Sequence, residues 1–255
     1  MNIISLNVNN FGGIKDKPLL KDYTVNKKID WTSWNADVDS WREVNKDRIE
    51  ENVSKVVCLI KDFDIVFLHE VDTNCSSWTQ LHELMKEEYN WEAANDVDKS
   101  TYKKGRQSIS CLFVRNGLIY DYDEITNFSN KQRNIEIVVN GVTIIGLHAS
   151  YDLKYWESLI KRIKTKKNYL IIGDLNVFNL GTDRRLKFEE LLNIGAKDLW
   201  LEQGENNKTP TANTNLRIDY ALSSPAVFDK GIKEIILNSI RRTQNSDHAA
   251  VAVIC

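Results

Sequence analysis

The feature that most constrains this sequence is a series of short apolar runs, each of which stops at a polar residue. Four runs show the pattern: Ile3–Leu6 ends at Asn7, Ile65–Leu68 at His69 and Glu70, Val142–Leu147 at His148, and Tyr169–Ile172 at Gly173 and Asp174. Continuous runs of this kind, rich in Ile and Val, predict strands that are buried on both faces. Such strands need packing partners on both sides of their sheets.

Other segments predict further strands and four helices. Five more runs predict strands: Ser108–Val114, Arg133–Val139, Arg217–Leu222, Ile232–Leu237 and Ala249–Ile254. Helical periodicity is present in four segments: Trp41–Ile60, Trp78–Glu88, Leu153–Lys164 and Asp183–Leu192. The dipeptide Asn140-Gly141 between two strands predicts a hairpin. This mixture of hairpins and helices favours a mixed-sheet sandwich with helices on its outer faces over a regular βαβ alternation.

Composition limits the class of protein. The 255 residues contain no repeat, linker or break in composition, so we predict one domain over residues 1–255. The 34 basic and 36 acidic residues give a formal net charge of −2, which excludes nucleic-acid binding by bulk positive charge. No signal peptide and no run of about 18 apolar residues is visible, so we expect a cytoplasmic protein without a membrane anchor.

Cysteines and long loops give weaker expectations. The four cysteines, Cys58, Cys75, Cys111 and Cys255, form no CxxC pair, and we predict that Cys58 and Cys111 are small core residues. Long loops are predicted over Phe11–Ser40, Asn95–Arg106 and Gln203–Asn215. The first contains Trp31 and Trp34, which either anchor it in a small satellite core or offer a stacking surface to a base or sugar.

Polar residues at the predicted strand ends form a set that suits metal chemistry. It comprises four carboxylates, two asparagines and two histidines: Asn7, Glu70, His148, Asp174, Asn176, Asp219, Asp247 and His248. Taken alone, each has a structural alternative such as a turn, a cap or a satisfied core histidine. A carboxylate beside a buried strand, however, requires a partner or a cation. If the strand ends converge on one rim, the set forms an oxygen-rich pocket for Mg²⁺ or Mn²⁺, since no cysteine joins it.

Six motifs contain these residues: Ser5–Asn9, Asp64–Val71, Ile145–His148, Ile172–Asn176, Arg217–Tyr220 and Ser246–His248. In this order they resemble the motifs of the endonuclease/exonuclease/phosphatase superfamily, which includes deoxyribonuclease I, exonuclease III and the inositol polyphosphate 5-phosphatases. The resemblance covers nearly the whole chain. It implies a deoxyribonuclease I-like α/β (α+β) fold, a four-layer sandwich of two packed mixed β-sheets flanked by helices. It also implies metal-dependent hydrolysis of a phosphoester.

The resemblance further implies roles for the metal ligands and the base. Glu70 would be the principal Mg²⁺ ligand, helped by Asn7 and Asp247. His248 would be the general base for the attacking water, or at least its hydrogen-bond partner. Asp219 would orient His248 and stabilise its charge.

The remaining roles concern the phosphate. By the same resemblance, Asp174 and Asn176 would position the nucleophile and the phosphate, and His148 would donate to a non-bridging oxygen as negative charge develops. The sequence departs from the family pattern at His69, where the family often has Gln. It also departs over Ala149–Asp152, which lacks the signature of the exonuclease III and abasic-site endonuclease branch and so argues against abasic-site activity.

Three basic residues are candidates for phosphate binding: Arg133 opens a predicted strand, and Arg241 and Arg242 lie just before Ser246–His248. Arginine forks suit phosphate groups. The leading hypothesis is a Mg²⁺- or Mn²⁺-dependent nuclease that acts on DNA in preference to RNA, with no obligate protein partner evident. One alternative is a small-molecule phosphodiesterase or phosphatase with the same centre. The other is a non-catalytic binding protein of the same fold, which the intact residue set argues against.

Overall fold

The computed structural model describes residues 1–13, 18, 20–25, 28–93, 108–123, 133–177 and 182–254; the predicted loop Asn95–Arg106, part of the loop Phe11–Ser40, and Cys255 lie outside them. The strands of the described part are β1 (Ile3–Asn7), β2 (Thr24–Val25), β3 (Lys28–Ile29), β4 (Ile65–Val71), β5 (Tyr89–Ala93), β6 (Ile109–Arg115), β7 (Asp121–Asp123), β8 (Asn134–Val139), β9 (Val142–His148), β10 (Tyr169–Asp174), β11 (Lys197–Asp198), β12 (Asp219–Ser223), β13 (Lys233–Leu237) and β14 (Ala250–Ile254). The helices there are α1 (Trp31–Val44), α2 (Lys46–Ile60), α3 (Ser76–Met85), α4 (Leu153–Lys164), α5 (Asp183–Asn193), α6 (Leu199–Glu202), α7 (Pro225–Phe228) and α8 (Ser239–Arg242). Short 3₁₀ turns cover Asn9–Phe11 and Leu20–Tyr23.

Two six-stranded mixed sheets form the centre of the molecule. The first sheet has the order β13-β14-β1-β4-β6-β5, and the second has the order β11-β12-β10-β9-β8-β7. In each sheet one pair runs parallel, β1 with β4 and β9 with β10. The flanking pairs are antiparallel. The carboxyl ends of each parallel pair therefore share an edge of their sheet.

Apolar clusters on both faces of each sheet produce four layers. In β4, Ile65 and Phe67 enter the cluster between the sheets, where they meet Ile144 of β9. Val66 and Leu68 point the other way and pack under α2 and α3. A third cluster joins the outer face of the second sheet to α4 and α5. Because alternate residues of a strand face opposite sides, burial on both faces explains why the strands are continuous apolar runs.

Gly146 of β9 marks a close approach of the two sheets. A Cβ atom at this position would lie 2.0 Å from Cδ1 of the Phe67 ring in β4. Only glycine fits this contact without moving a sheet, because no side chain can share that volume with the ring.

The structure confirms the predicted fold class and hairpin, with α4 at its predicted bounds. Two predictions near the N-terminus are wrong. Part of the expected loop Phe11–Ser40 is helical from Trp31, because Asp30 caps α1 by accepting hydrogen bonds from the N–H groups of Thr32 and Ser33. The expected single helix Trp41–Ile60 is two helices that meet at Asn45.

The structure also shows where the cysteines and the two tryptophans of the N-terminal segment lie. Cys58 is exposed on α2, so its predicted place in the core is wrong. Val56 and Ile60 form the buried stripe of that helix, and residue 58 lies on the opposite side. Cys111 in β6 is fully buried, as predicted. Trp31 and Trp34 contact each other edge to face on α1, with ring centroids 5.8 Å apart.

Among the described helices, none combines the length and the apolar character that a membrane crossing requires.

Candidate active site

The polar residues at the strand ends converge on one rim of the sandwich. Asn7 is the last residue of β1, His148 the last of β9, Asp174 the last of β10, and Glu70 the last but one of β4. The parallel pairs bring these ends to the same edge of their sheets. Asp219 begins β12, which is antiparallel to β10, and it pairs directly with Asp174. The convergence expected from the sequence therefore occurs.

The segment before β14 completes this rim. Because β14 runs antiparallel to β1, Asp247 and His248 lie beside the carboxyl end of β1. The Ser246 hydroxyl donates to the backbone oxygen of Asn7 at 2.6 Å and accepts a hydrogen bond from the N–H of His248 at 3.1 Å. Ser246 thus ties the catalytic candidate His248 to the strand that carries Asn7.

A cavity of about 390 Å³ opens at the rim. Six of the eight predicted site residues line it: Glu70, His148, Asp174, Asn176, Asp247 and His248. Arg133 and Tyr151 line it as well. Asn7 and Asp219 stand behind this lining and contact it through hydrogen bonds. All eight residues therefore belong to one site.

Glu70 reaches the cavity because β4 is irregular at this point. The register between β4 and β6 shifts between Leu68 and Val71, and the backbone of Glu70 has a φ of 57°. Asn176 has a φ of 54°. A left-handed conformation at a non-glycine residue costs of the order of 1 kcal/mol and persists only where the surrounding fold enforces it. Two such residues in one cavity indicate a site that the fold holds in place.

Asn7 joins two carboxylates. Its Nδ2 donates to Oε1 of Glu70 at 3.1 Å and to Oδ2 of Asp174 at 3.3 Å. Its Oδ1 accepts the backbone N–H of Asn9 at 3.0 Å, which fixes the orientation of the amide. Asn7 therefore presents its nitrogen to the carboxylates, whereas the role of metal ligand expected from the resemblance requires its oxygen.

His248 and Asp219 form a buried hydrogen-bonded pair. Nδ1 of His248 donates to the Asp219 carboxylate, with distances of 3.1 and 3.0 Å to its two oxygens. Burial alone would lower the pKa of His248, but the charges of Asp219 and Asp174 outweigh it and raise the pKa well above 6.5. Thr211, in the predicted loop Gln203–Asn215, holds Asp219 by accepting its backbone N–H at 3.0 Å. The other ring nitrogen, Nε2, lies 3.9 Å from Oδ2 of Asp174, and His248 lines the cavity.

Asp174 lies between these groups and has an unusual protonation equilibrium. Burial, and then the charges of Asp219 and Glu70, raise its pKa to about 7, against the opposing charge of His248. Its Oδ2 is 3.9 Å from Nε2 of His248, and its Oδ1 accepts the backbone N–H of Asn176 at 2.9 Å. The site thus concentrates more negative charge than its own cations balance.

His148 is a neutral histidine beside an arginine. Burial, followed by the charges of Arg133 and His248, lowers the pKa of His148 well below 6.5. Nη1 of Arg133 lies 3.2 and 3.1 Å from the two ring nitrogens. Nε2 of His148 is 3.6 Å from both Glu70 Oε1 and Asp174 Oδ2. These two carboxylate oxygens therefore face the same imidazole and the same Asn7 amide.

His69, the departure from the family pattern, lies behind the cavity and not in it. Its pKa is lowered well below 6.5, first by burial, so the ring is neutral. Ser110 donates to the backbone oxygen of Arg133 at 2.9 Å, so its oxygen accepts Nδ1–H of His69 at 2.8 Å. Nε2 then accepts the Ser5 hydroxyl at 2.9 Å. This series of hydrogen bonds links β1 to the backbone of Arg133.

Two predicted phosphate-binding residues do not face the cavity. Arg241 on α8 is engaged with Oδ1 of Asn238 at 3.0 Å and with the backbone oxygen of Ala212 at 3.3 Å. Arg242 is exposed. Neither is among the described residues that line the cavity, whereas Arg133 is.

Sequence reasoning missed Tyr151 and Arg184. The Tyr151 hydroxyl donates to Oδ1 of Asn176 at 3.1 Å, and Nη1 of Arg184 donates to the backbone oxygen of Asn176 at 2.9 Å. The signal available for Tyr151 was its place three residues after His148. Arg184 gave no signal, because it enters from the first turn of α5.

The donor set fits a hard divalent cation. Asp174, Asp219 and His248 each offer an atom within 4.8 Å of the others. Asp219 and His248 also hydrogen-bond to one another, and Glu70 and Asp247 line the same cavity as Asp174, so further carboxylate oxygens are available beside this group. Burial, and after it the charges of Asp219 and Glu70, raises the pKa of Asp174, and a cation beside the carboxylate would favour its charged form. Oxygen-rich sets of this kind suit Mg²⁺ or Mn²⁺.

No protein-family model matches the sequence, and no curated protein does so either. Solved structures do match in fold. The 3'-5' exonuclease NExo from Neisseria meningitidis is similar at 16% identity with a TM-score of 0.60, over 100% of this chain and 99% of that one. An AP endonuclease from Archaeoglobus fulgidus is similar at 15% identity with a TM-score of 0.60, over 100% and 98%. TDP2 from C. elegans is similar at 17% identity with a TM-score of 0.56, over 99% and 74%.

These proteins belong to the superfamily whose motifs the sequence resembles. At such low identity the likeness concerns the fold, and the deoxyribonuclease I-like architecture expected from the motifs is confirmed.

Proposed function

We propose that this chain is a Mg²⁺- or Mn²⁺-dependent phosphodiesterase that hydrolyses nucleic-acid phosphodiester bonds, with DNA as the first substrate to test. The observation that carries the proposal is the buried Asp219–His248 pair, which faces the carboxylates of Glu70 and Asp174 across one cavity. A hydrogen-bonded Asp–His pair orients an imidazole for proton transfer. The adjacent carboxylates suit a cation, which a phosphate requires in order to approach them.

His248 accepts the proton of the attacking water in this mechanism. Asp219 accepts Nδ1–H of His248, so Nε2 is the nitrogen left to accept a proton, and the carboxylate stabilises the imidazolium that forms. As the water oxygen bonds to phosphorus, its proton passes to Nε2 and the bond to the leaving oxygen breaks. A cation held beside Asp174 would offset one of the charges that raise the pKa of His248 and would so favour the free imidazole as proton acceptor.

Glu70, Asp174 and Asp247 would hold the cation, with Asn7 fixing the first two. When bound, the cation polarises the phosphoryl group and stabilises its developing charge. His148 is neutral and donates one N–H to a non-bridging oxygen. The guanidinium of Arg133 beside it attracts the same phosphate.

The similar structures support a nucleic-acid substrate in preference to a small phosphoester. NExo from Neisseria has been solved as a 3' phosphatase bound to a product DNA hairpin. NExo is also described as a 3'-5' exonuclease, and the similar protein from Archaeoglobus fulgidus is an AP endonuclease. The departure from the abasic-site signature over Ala149–Asp152 leaves ordinary phosphodiester bonds as the better candidates.

A substrate panel tests the proposal. Purified protein with Mg²⁺ is incubated with plasmid, linear duplex, single-stranded DNA, RNA, nucleotides and inositol phosphates. We expect cleavage of a DNA substrate, reduced by at least about 100-fold in His248→Asn. His82→Asn is the matched control, because His82 lies on α3 against Trp78 and Trp91 and not in the cavity. Turnover confined to a small phosphoester, or a His248→Asn rate equal to wild type, contradicts the proposal.

A further inference from the structure

Tyr151 is an exposed aromatic ring that the structure holds in a fixed position. It lies just after β9, lines the cavity, and is 61% exposed. Its hydroxyl is anchored by the 3.1 Å hydrogen bond to Oδ1 of Asn176. An exposed tyrosine on a loop ordinarily samples several rotamers, and this anchor removes that freedom.

Arg184 covers one side of the same ring. Its guanidinium carbon is 4.1 Å from the ring centroid, within the range of a cation–π contact. Nη1 of Arg184 also donates to the backbone oxygen of Asn176 at 2.9 Å. Tyr151 is therefore held at its hydroxyl and by a stacked cation, while the remaining surface of the ring stays accessible at the cavity.

A rigid aromatic ring beside a phosphate site suits one class of ligand group. Nucleobases present a π face, and stacking on an aromatic side chain tolerates any base. Inositol and simple lipid headgroups have no such face. Arg184 adds positive charge behind the ring, which suits the phosphates on either side of a nucleotide.

We propose that Tyr151 is a specificity-determining residue that stacks on the nucleobase next to the scissile phosphate. This inference rests on the proposed function as a nucleic-acid phosphodiesterase. It goes further by making the base itself, and not only the phosphate, a recognised part of the substrate. Because a stacked base contributes equally before and during the reaction, the effect falls on KM more than on kcat.

Two matched oligonucleotides test the inference. Both are single-stranded DNA with one ordinary phosphodiester bond, the other linkages being methylphosphonates. One carries a normal base beside the cleavable bond, and the other carries a tetrahydrofuran residue there. The readout is the ratio of kcat/KM for the base-bearing substrate to that for the base-free substrate, which cancels effects on the catalytic centre.

Wild type should prefer the base-bearing substrate by about tenfold to a hundredfold, mainly through KM. Tyr151→Ala should bring this ratio close to one. Tyr151→Phe removes the hydroxyl bond to Asn176 but keeps the ring, so it should preserve the ratio even if both rates fall. Trp91→Ala removes an exposed aromatic on β5, outside the cavity lining, and should also preserve the ratio.

The outcomes separate this inference from the proposed function. If wild type cleaves both oligonucleotides with equal kcat/KM, or if Tyr151→Ala keeps the preference, the stacking role is overturned and the phosphodiesterase stands. If wild type cleaves neither, while a nucleic-acid substrate of the panel is also untouched, the proposed function fails and the inference with it. A thermal melt of each variant shows whether it is folded. If Tyr151→Ala is not, Tyr151→Leu, which also lacks the aromatic ring, takes its place.

Discussion

Replacing Asp219 by Asn tests how this site controls the protonation of His248. The substitution keeps the size of the side chain and removes its charge. The Asp219 carboxylate is buried and 3.0 Å from Nδ1 of His248. At that distance two unit charges interact by about 5 kcal/mol at an effective dielectric constant of about 20. That energy corresponds to about 4 pKa units as an upper limit.

The Asn amide still accepts part of the hydrogen bond, and Asp174 still raises the pKa of His248. We therefore expect the pKa of His248 in the metal-free protein to fall by at least about 1 unit in Asp219→Asn. We expect kcat with Mg²⁺ to fall about 10²- to 10⁴-fold, the range that general-base catalysis supplies. NMR titration of the imidazole gives the pKa, and initial rates on a DNA substrate give kcat.

Asp198→Asn is the matched control. Asp198 is also a buried carboxylate paired with a cation, since both of its oxygens accept hydrogen bonds from Arg217 at 2.9 and 2.7 Å. Its replacement should lower stability while the pKa of His248 stays where it is. An unchanged His248 pKa in Asp219→Asn, or a kcat within about threefold of wild type, refutes the assignment of the pair.

Three further predictions concern the support of the site and the fold. Asn7→Ala should lower the affinity for Mg²⁺ about 10- to 100-fold, because Glu70 and Asp174 lose their shared hydrogen-bond donor. A titration of the reaction rate with Mg²⁺ checks this, and a midpoint equal to that of wild type contradicts it. Gly146→Ala should lower the free energy of unfolding by about 1–3 kcal/mol, since its Cβ meets the Phe67 ring. Equal urea unfolding midpoints for wild type and variant would contradict the close contact between the sheets. Burial raises the pKa of Glu234 from 4.5 to about 8, so the native state keeps a proton that the unfolded chain loses between these values. Stability should therefore fall as pH rises through that window, by at most about 1.4 kcal/mol per pH unit, and Glu234→Gln should flatten the slope; a variant with the wild-type slope argues against a protonated Glu234.

Most of the fold was predictable because its strands are buried on both faces. The runs that become β1, β4, β9 and β10 are apolar without interruption, and their ends carry the site residues. Short edge strands such as β7 and β11 gave no such signal, since only two or three residues of each are paired. The helix α1 was missed because Val38 is its single buried residue, so it shows no apolar stripe.

The composition of the site was predictable, but its finer geometry was not. Motif order located the eight residues, because they sit at or near strand ends that the parallel pairs and their antiparallel neighbours bring to one rim. The orientation of the Asn7 amide depends on the backbone N–H of Asn9, which a sequence does not reveal. Tyr151 and Arg184 meet because each reaches Asn176 from a different element. Arg241 is not among the cavity-lining residues, and its donors are engaged by Asn238 and Ala212.

The most direct test is the rate of hydrolysis of one defined DNA oligonucleotide under three conditions. These are wild type with Mg²⁺, wild type with EDTA, and Glu70→Gln with Mg²⁺. Turnover should occur in the first condition and be nearly abolished in the other two, because the carboxylates of Glu70 and Asp174 repel a phosphate unless a cation neutralises them. Full turnover in EDTA, or a Glu70→Gln rate equal to wild type, would contradict a metal-dependent phosphodiesterase centred on this cavity.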